Sequence, residues 1–582
     1  MKELNTMYLE TTPIEVCDID RALVFGEYPK LPFSEQMVEA VKAYDSLGKD
    51  TRKNMLEHCE AIIGVAQSFA GMEIPPLAIV ATYLHDLIDR QINLKSHKST
   101  PERQEAARKS IKELLAEVYP LITSEQLVYL GGILTSFVLA EIASGDHRKG
   151  VVDKATFVGD INQNNIRDKI AGLYDGELGK DDWETIEPYL DFSHIHKVAK
   201  RLNIESIVIK GCELLVNLRN PASERQSAWL QDVLEAESFY APILEVLGYD
   251  GLASALRGQS HIVRLNGQGK RDIVERAESI IDKISQKGVN TVLSRIFGDS
   301  NSATHPVVGV DSRNDNKKPV EMGEFVAVLD EKGSSPVAGV YRLKTAGSLA
   351  NKMVDSRYDG RLPMDILGIT IISGGPIETS QGVKESIDDV RQSARDFAKF
   401  IKSKVIDGKL SMKKAESHKK PVVVKGSDKY ISIVAEELIA QGVDLANCEF
   451  VRDSKEDRRR RGFAQFSVSK VTFLADLEGG DESVPVEAQF VTKAERERSR
   501  TGEVAHIVYK YIKQIEKTSG DKKLTDKERL EIVHSATKLL KEMHARRSYL
   551  NPNSLELNER TVEEGADYIL SMLLDENFSL AV

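Results

Sequence analysis

The sequence predicts a helical N-terminal half, then a mixed α+β domain, and then C-terminal helices. From residue 34 to about 260, apolar residues recur at intervals of three and four, which is the period of an amphipathic helix. After residue 298 the pattern changes to short alternating runs, with ILGITIIS (366–373) and VPVEAQFVT (484–492) among the clearest. Helical periodicity returns from 524. We therefore expect an all-helical bundle followed by a mixed, mostly antiparallel sheet.

The boundaries between these regions follow changes in composition. Residues 269–297 predict one long helix, and the stretch GDSNSATHPVVGVDSRNDNKKP that follows is rich in Gly, Asn, Asp and Pro, as is typical of loops. Two further strands are predicted, at 325–330 and 465–477. The predicted division is a helical domain at 1–260, a linker helix and loop at 261–325, an α+β domain at 326–520 and a helical extension at 521–582.

The bulk composition excludes several classes of protein. The chain has 582 residues, 41% of them apolar, and a formal net charge of −11, which does not fit a protein that coats nucleic acid. Its cysteines contain no CxxC pair and predict neither a disulfide framework nor a zinc ribbon. The acidic N-terminus does not resemble a secretory signal, and no apolar run is long enough to span a membrane. We expect a cytoplasmic protein without a membrane partner.

An ionisable pair, His85 and Asp86, interrupts the apolar run LAIVATYLHDLID. Burying such side chains costs free energy unless a partner satisfies them. His58 also emerges from a predicted apolar helix, 27 residues upstream. Imidazole and carboxylate groups from separate helices can converge on Zn, Mn or Fe. A buried hydrogen-bond network would satisfy the same groups, so periodicity alone leaves both interpretations open.

A basic pattern follows in GVYRLKTAGSLANKM (339–353). Lys344, Ser348 and Lys352 recur at every fourth residue and would share one face of a helix, with Arg342 at its entry. Arginine and lysine in such an arrangement suit the phosphates of a nucleotide. The alternative is an ordinary solvated basic face.

Carboxylates lie on two of the predicted strands of the α+β domain. Asp365 is predicted at the start of one strand, and Glu487 and Gln489 share one face of another. Two carboxylates from neighbouring strands beside a basic helix predict a Mg²⁺–nucleotide site. Each carboxylate taken alone would predict no more than a surface group.

The histidine and aspartate series resembles the metal motif of HD phosphohydrolases, and a later segment narrows the resemblance. IESIVIKGCELLVNLRN (204–220) is similar to K-x-A-D-R-x-x-N-x-R, the fourth-ligand segment of the RelA/SpoT alarmone hydrolases. Glu213 stands where that family has its metal-binding Asp, and the matching residues are Lys210, Asn217 and Arg219. The resemblance implies a Mn²⁺ site made of His58, His85, Asp86 and Glu213.

The next segment, ESFYAPILEVLGYDG, also resembles the family, which has Y-A-P-x-A-x-x-L-G there. The family motif HDxxED is HDLIDR in this chain, so Asp89 keeps one carboxylate and Arg90 replaces the other. The resemblance implies that Asp89 orients the attacking water. Glu213 is a methylene longer than the Asp of the family, which would shift the coordination geometry.

The second half is similar to the RelA/SpoT nucleotidyl pyrophosphokinase domain. Its motifs R-x-K-x-x-x-S-x-x-x-K-M, D-x-x-[AG]-x-R, E-x-Q-x-R-T and G-x-A-A-H-x-x-Y-K occur in the same order. The resemblance implies that Asp365 and Glu487 hold Mg²⁺ and that Phe463, in RGFAQFS, stacks on the acceptor base. The implied nucleotide-binding residues are Arg342, Lys344, Ser348, Lys352, Phe463, Gln489 and His506, with Asn217 and Arg219 in the hydrolase half. The motif arginines are replaced by Thr370 and Val491.

Together the resemblances imply metabolism of guanosine 3′-pyrophosphate alarmones. The HD-type bundle would hydrolyse ppGpp, and the nucleotidyltransferase-like domain would transfer pyrophosphate from ATP to GDP or GTP. One alternative is a hydrolase whose second domain only senses nucleotides, and others are a non-catalytic nucleotide switch or an enzyme that modifies tRNA. No ribosome-binding module is evident after the synthetase motifs, and the sequence leaves homo-oligomerisation open.

Overall fold

The structure is a computed structural model of the chain. It describes residues 55–70, 204–220, 226–287, 289–297, 305–308, 321–327, 337–354, 362–373, 377–379, 382–384, 386–406, 410–413, 420–452, 467–476, 483–501 and 525–548, with scattered residues of 81–140 and single residues at 329, 505, 508 and 512. The chain divides into two compact units. The first comprises Met1–Ser260 and Glu542–Val582, and the second is His261–Lys541.

The described part of the first unit is helical. Its helices are α1 (Met55–Ala70), α2 (Ile204–Arg219), α3 (Gln226–Glu235), α4 (Ala241–Val246) and α5 (Asp250–Gly267), the last of which continues into the second unit. Helices α1 and α2 pack against each other. Helix α2 also approaches α4 closely, because a Cβ at Gly211 would lie 2.8 Å from Leu244 Cδ1.

The segment between α3 and α4 explains the Y-A-P-x-A-x-x-L-G resemblance by packing. A π-helical turn, Ala236–Tyr240, joins the two helices, and Pro242 is the second residue of α4. Tyr240 and Leu247 are buried, and Gly248 has a φ of 81°, which favours glycine. These residues therefore shape the helical core.

The described part of the second unit combines a mixed sheet with helices, and this confirms the α+β character that the sequence predicts. Its strands are β1 (His305–Val308), β2 (Glu321–Ala327), β3 (Val337–Leu343), β4 (Leu367–Ser373), β5 (Ile377–Thr379), β6 (Gly382–Lys384), β7 (Ser411–Met412), β8 (Val422–Gly426), β9 (Cys448–Arg452), β10 (Val468–Asp476) and β11 (Ser483–Thr492). Its helices are α6 (Arg271–Lys287), α7 (Val289–Phe297), α8 (Ala346–Val354), α9 (Ile387–Phe400), α10 (Asp428–Ala440), α11 (Lys493–Thr501) and α12 (Asp526–Ser548), whose residues after Lys541 belong to the first unit.

The main sheet has the strand order β1-β2-β3-β4-β11-β10-β8-β9, with β7 paired to β10. The pairs β4–β11 and β8–β9 are parallel, and the other pairs of this sheet are antiparallel. Strands β5 and β6 form a separate antiparallel pair. The sheet is thus mixed and mostly antiparallel, with its parallel β4–β11 pair at the centre.

One face of this sheet packs into the core. Strand β4 shows this alternation clearly, since every second residue from Leu367 to Ser373 is buried. Helix α9 covers this face with Phe397 and Phe400, whose ring centroids lie 5.2 and 5.4 Å from that of Phe490. Phe297 of α7 joins the same group of rings, 5.7 Å from Phe400. Tilted and edge-on aromatic contacts of this kind stabilise a core beyond the area that they bury.

Two of the sequence predictions were wrong in detail. Residues 269–297 form two helices, α6 and α7, and the sequence places Gly288, a weak helix former, between them. Lys344 is not on a helix: β3 ends at Leu343, α8 begins at Ala346, and the Lys344 N–H continues the β3–β4 ladder by donating to the Ile366 carbonyl at 2.9 Å. Four-residue spacing therefore did not place Lys344 beside Lys352.

Among the helices of the described ranges, none is both long enough and apolar enough to cross a membrane.

Candidate functional site

Three of the predicted site residues of the α+β domain, Arg342, Glu487 and Gln489, lie on the less buried face of the main sheet, which we call the half-buried face. In the strand registers, Gly368 pairs with both Arg342 on β3 and Glu487 on β11, and Thr370 pairs with Gln489. Residues that pair directly point to the same face of a sheet. The half-buried face therefore brings Arg342, Glu487 and Gln489 together across three strands.

At the edge of this face, two lysines share one carboxylate oxygen. Lys344 Nζ lies 2.8 Å from Asp365 Oδ2, and Lys352 Nζ of α8 lies 2.6 Å from the same atom. The carboxylate comes from the turn that precedes β4, and its side chain is 29% exposed. The arrangement holds two ammonium groups close together around a single negative charge.

Burial and neighbouring charges both shift the titration of these groups. Burial lowers the pKa of Lys344, the positive charges of Lys352 and Arg342 act in the same direction, and Asp365 offsets part of the effect. Burial by itself would raise the pKa of Asp365, but the charges and hydrogen bonds of Lys344 and Lys352 outweigh it, so that pKa is lowered. Asp365 therefore carries its negative charge at neutral pH.

Helix α8 is positioned by its own N-terminal cap and by packing. The Thr345 hydroxyl accepts a hydrogen bond from the Ser348 N–H at 3.1 Å, as an N-cap residue does, and donates to the Ser348 hydroxyl at 2.8 Å. Leu349 and Met353 are buried on the opposite side of the helix, which packs against α6. Ser348 thus belongs to the helix cap, and Lys352 is the α8 residue that reaches Asp365.

The second carboxylate, Glu487, is also fully engaged. Its Oε1 accepts from Gln489 Nε2 at 2.6 Å, and its Oε2 lies 3.2 Å from Lys470 Nζ. The sequence interpretation missed Lys470. It lies on β10 opposite Gln489 in the register, so it faces the same side of the sheet. Only the pairing of β10 with β11 could have revealed this, because a strand's register is not local information.

The described groups on and beside the half-buried face have an excess of positive charge. Near Asp365 and Glu487, the cationic side chains are Arg342, Lys344, Lys352 and Lys470. Farther along the same face, the registers add Lys425 on β8 and Glu449 on β9, whose charges offset each other. An anion with several oxygens, such as a polyphosphate, would be attracted to such a surface. Two carboxylates are also the protein ligands with which Mg²⁺ is commonly held beside substrate phosphates. The donor set therefore fits a Mg²⁺–nucleotide complex.

Thr370 and Val491, which stand where the motifs of the resembled family have arginine, have distinct surroundings. Thr370 lies on the half-buried face, two residues along β4 from Gly368, and pairs with Gln489 in the register. Val491 shares the strand β11 with Glu487 but is only 3% exposed. An arginine at Val491 would have to be accommodated in a buried place, and the valine side chain itself offers no contact to a phosphate.

In the first unit, the structure describes part of the predicted metal site. His58 on α1 and Glu213 on α2 belong to helices that pack together, and both side chains are half-buried. Cys59, beside His58, donates its S–H to the Thr82 carbonyl at 3.5 Å, which ties α1 to the helical segment that precedes His85. His85, Asp86 and Asp89 themselves lie outside the described residues, as do Phe463 and His506 of the α+β domain.

Glu213 has a basic neighbour on its own helix. Lys210 Nζ lies 2.7 Å from Glu213 Oε2, and the lysine is almost wholly buried. Asn217 is one turn further along the same face of α2, and Arg219 ends the helix. Within the parts of the chain that the structure describes, no group of three or more His, Cys, Asp or Glu side chains is placed to hold a metal ion.

Comparison with known proteins adds no relationship to this geometry: no protein-family model matches the chain, and no curated protein matches it significantly.

Proposed function

We propose that the α+β domain binds a Mg²⁺–nucleoside triphosphate and transfers its terminal pyrophosphate to the 3′-hydroxyl of GDP or GTP. The observation that carries the proposal is the pair of lysines on Asp365 Oδ2, with Arg342 and Glu487 on the adjoining half-buried face. A loose phosphoryl-type transition state needs positive charge and alignment more than covalent help from the protein. This cluster is rich in positive charge. It is built on and beside strands, which supports the alignment of the reacting groups.

In the proposed step, the acceptor 3′-oxygen attacks the β-phosphorus of ATP. A new P–O bond forms, the bond between the β-phosphorus and the oxygen of AMP breaks, and AMP leaves as the hydroxyl proton is lost to solvent. Lys344, Lys352 and Arg342 would hold the pyrophosphate oxygens and offset their growing charge. Asp365 and Glu487 would hold Mg²⁺, which supplies charge neutralisation and polarises the phosphate.

We infer that the helical unit removes the same 3′-pyrophosphate by metal-assisted hydrolysis. Supporting this, His58 and Glu213 lie on packed helices, and α1 is tied through Cys59 to the segment that leads to His85. With His85 and Asp86 they would form a Mn²⁺ site, and Asp89 would orient the water. Asn217 and Arg219 of α2 would contact the nucleotide. Alarmone synthesis and breakdown would then belong to one chain.

A second candidate is a regulatory nucleotide-binding domain without transfer activity. It is favoured by Val491, whose burial excludes a phosphate contact at a position where the motif has arginine, and by the ammonium partners that already occupy both carboxylates. This domain would bind nucleotide and leave hydrolysis to the helical unit.

One experiment separates these candidates. The full chain is incubated with ATP, GDP and Mg²⁺, and separately with ppGpp and Mn²⁺, and the products are resolved by ion-exchange chromatography. Transfer activity that is lost in Asp365→Ala and kept in Asp388→Ala, an exposed control on α9, supports the pyrophosphokinase. Hydrolysis that is lost in His58→Ala supports the helical site. Nucleotide binding without either product supports the regulatory domain, and labelling of tRNA in place of GDP would contradict alarmone synthesis.

A further inference from the structure

Lys470 lies on β10 where it can serve the same ligand as the residues of β3 and α8. Its register partner is Gln489, and its ammonium group reaches diagonally to Glu487 Oε2 at 3.2 Å. The side chains of this pair are 22% and 17% exposed, so the pair is partly shielded from water. Lys470 and Arg342 therefore flank the central β4–β11 pair of the half-buried face from opposite sides.

The surface between these two cations has room for an anion. The residues of β4 on this face are Gly368 and Thr370, which are small. A Cβ at Gly368 would meet no atom closer than 3.7 Å, the backbone carbonyl oxygen of Arg342. Arg342 and Lys470 stand on strands β3 and β10, about 14 Å apart at three strand spacings, and both have long side chains. A chain of phosphates lying over Gly368 would be within reach of both.

The partner of Lys470 is Glu487, which is also the proposed metal ligand, so the position of the Lys470 ammonium group would depend on metal binding. Glu487 has one oxygen on Gln489 and the other on Lys470. A divalent cation bound to Glu487 would repel the ammonium group about twice as strongly as a second ammonium group would at the same distance, because it carries two positive charges. Lysine is a flexible point charge whose ammonium group can turn to a new acceptor. A phosphate that arrives with the cation supplies that acceptor.

We propose that Lys470 is a phosphate-binding residue that exchanges partners, from Glu487 to a phosphate oxygen of the bound metal–nucleotide complex. The inference rests on the proposed nucleotide function of this domain and adds a fourth cation to its site. The proposal also accounts for a positive charge in the row of paired residues Thr370, Gln489 and Lys470. This row has no arginine on β4, and its cation is Lys470 on β10.

The exchange predicts opposite effects of one substitution on two ligands. In the His58→Ala background, which weakens the Mn²⁺ site proposed for the helical unit, Lys470→Met should make the full chain bind Mn²⁺ alone about fivefold more tightly, since a competing ammonium group is gone. The Mg²⁺ complex of α,β-methylene-ATP should bind about tenfold more weakly, since a charge-assisted hydrogen bond is lost. Lys470→Arg should retain most of the nucleotide affinity. The charge-matched control is Lys429→Met, an exposed residue at the start of α10, which should change neither affinity.

Free Mn²⁺ is followed by its electron paramagnetic resonance signal, and the analogue by isothermal titration calorimetry. If both affinities rise in Lys470→Met, the lysine only blocks the metal and the proposal is overturned. If neither changes while Lys344→Met weakens the analogue, Lys470 has no phosphate role although the nucleotide site is real. A wild-type chain that binds Mn²⁺ but not the analogue overturns the nucleotide function itself. Thermal unfolding of each variant confirms that the fold is retained.

Discussion

Asp365 should weaken the binding of a metal-free polyphosphate and strengthen the binding of its Mg²⁺ complex. Its Oδ2 lies within 2.8 Å of two ammonium groups, so an anion that contacts those groups comes about 5 Å from the carboxylate. Two negative charges at that distance repel by about 1 kcal/mol in water and about 3 kcal/mol at an effective dielectric constant of 20. Because the carboxylate is partly exposed, we take about 1 kcal/mol, which corresponds to roughly a fivefold change in affinity.

The test is calorimetric titration of the full chain with pyrophosphate in EDTA. Asp365→Asn should bind pyrophosphate about fivefold more tightly than the wild type, because the amide keeps the shape and loses the charge. With Mg²⁺ present the order should reverse, because the metal loses a ligand. Asp388→Asn, which removes the same charge from the exposed start of α9, is the control. Weaker or equal binding of pyrophosphate to Asp365→Asn in EDTA would refute the view that the carboxylate competes with the anion for the lysines.

The remaining predictions concern stability, followed by urea unfolding of the full chain. Burial raises the pKa of Asp396 on α9, so the folded protein favours the protonated carboxyl and its free energy of unfolding falls as pH rises through that pKa. Asp396→Asn should therefore raise the free energy of unfolding at pH 7 and lose this advantage below about pH 4. An equal gain at both pH values would contradict this reasoning. Lys210→Met removes the ammonium group that pairs with the nearly buried Glu213 and should lower the free energy of unfolding by about 2 kcal/mol. Adding Glu213→Gln to this variant should recover most of the loss. A loss that is not recovered would mean that the packing of the lysine side chain dominates. Gly442→Ala meets no atom within 4 Å but has a φ of +72°, so a loss of about 1 kcal/mol should come from backbone strain alone, and no loss would show that the turn relaxes.

Much of the α+β architecture was readable from local patterns. The predicted strands at 366–373 and 484–492 correspond to β4 (Leu367–Ser373) and β11 (Ser483–Thr492). Alternation alone placed Glu487 and Gln489 on one face of β11, and the structure joins them by a 2.6 Å hydrogen bond. These predictions succeed because side-chain direction along a strand depends only on the parity of the residue number.

Helical spacing was a poorer guide to the basic cluster. The sequence brought Lys344 and Lys352 together by assuming one continuous helix, whereas the chain leaves β3 and enters α8 between them. The two lysines still meet, but they do so on Asp365, which comes from a separate turn before β4. A strand and the helix that follows it have different periods, so residue spacing cannot relate Lys344 to Lys352. The two lysines converge because a third segment, the turn before β4, supplies the carboxylate that both of them contact.

The sequence by itself indicated the strands β4, β10 and β11, the alternation of side chains along them, and which side chains carry the charges. Only the tertiary structure decided that β4 lies parallel to β11 with Gly368 beside Glu487, that two lysines share Asp365, and that Lys470 faces Glu487 from β10. The physical reason is the range of the interactions. Periodicity is set within a few residues, whereas strand register and ion pairs depend on packing between segments that are far apart in the chain.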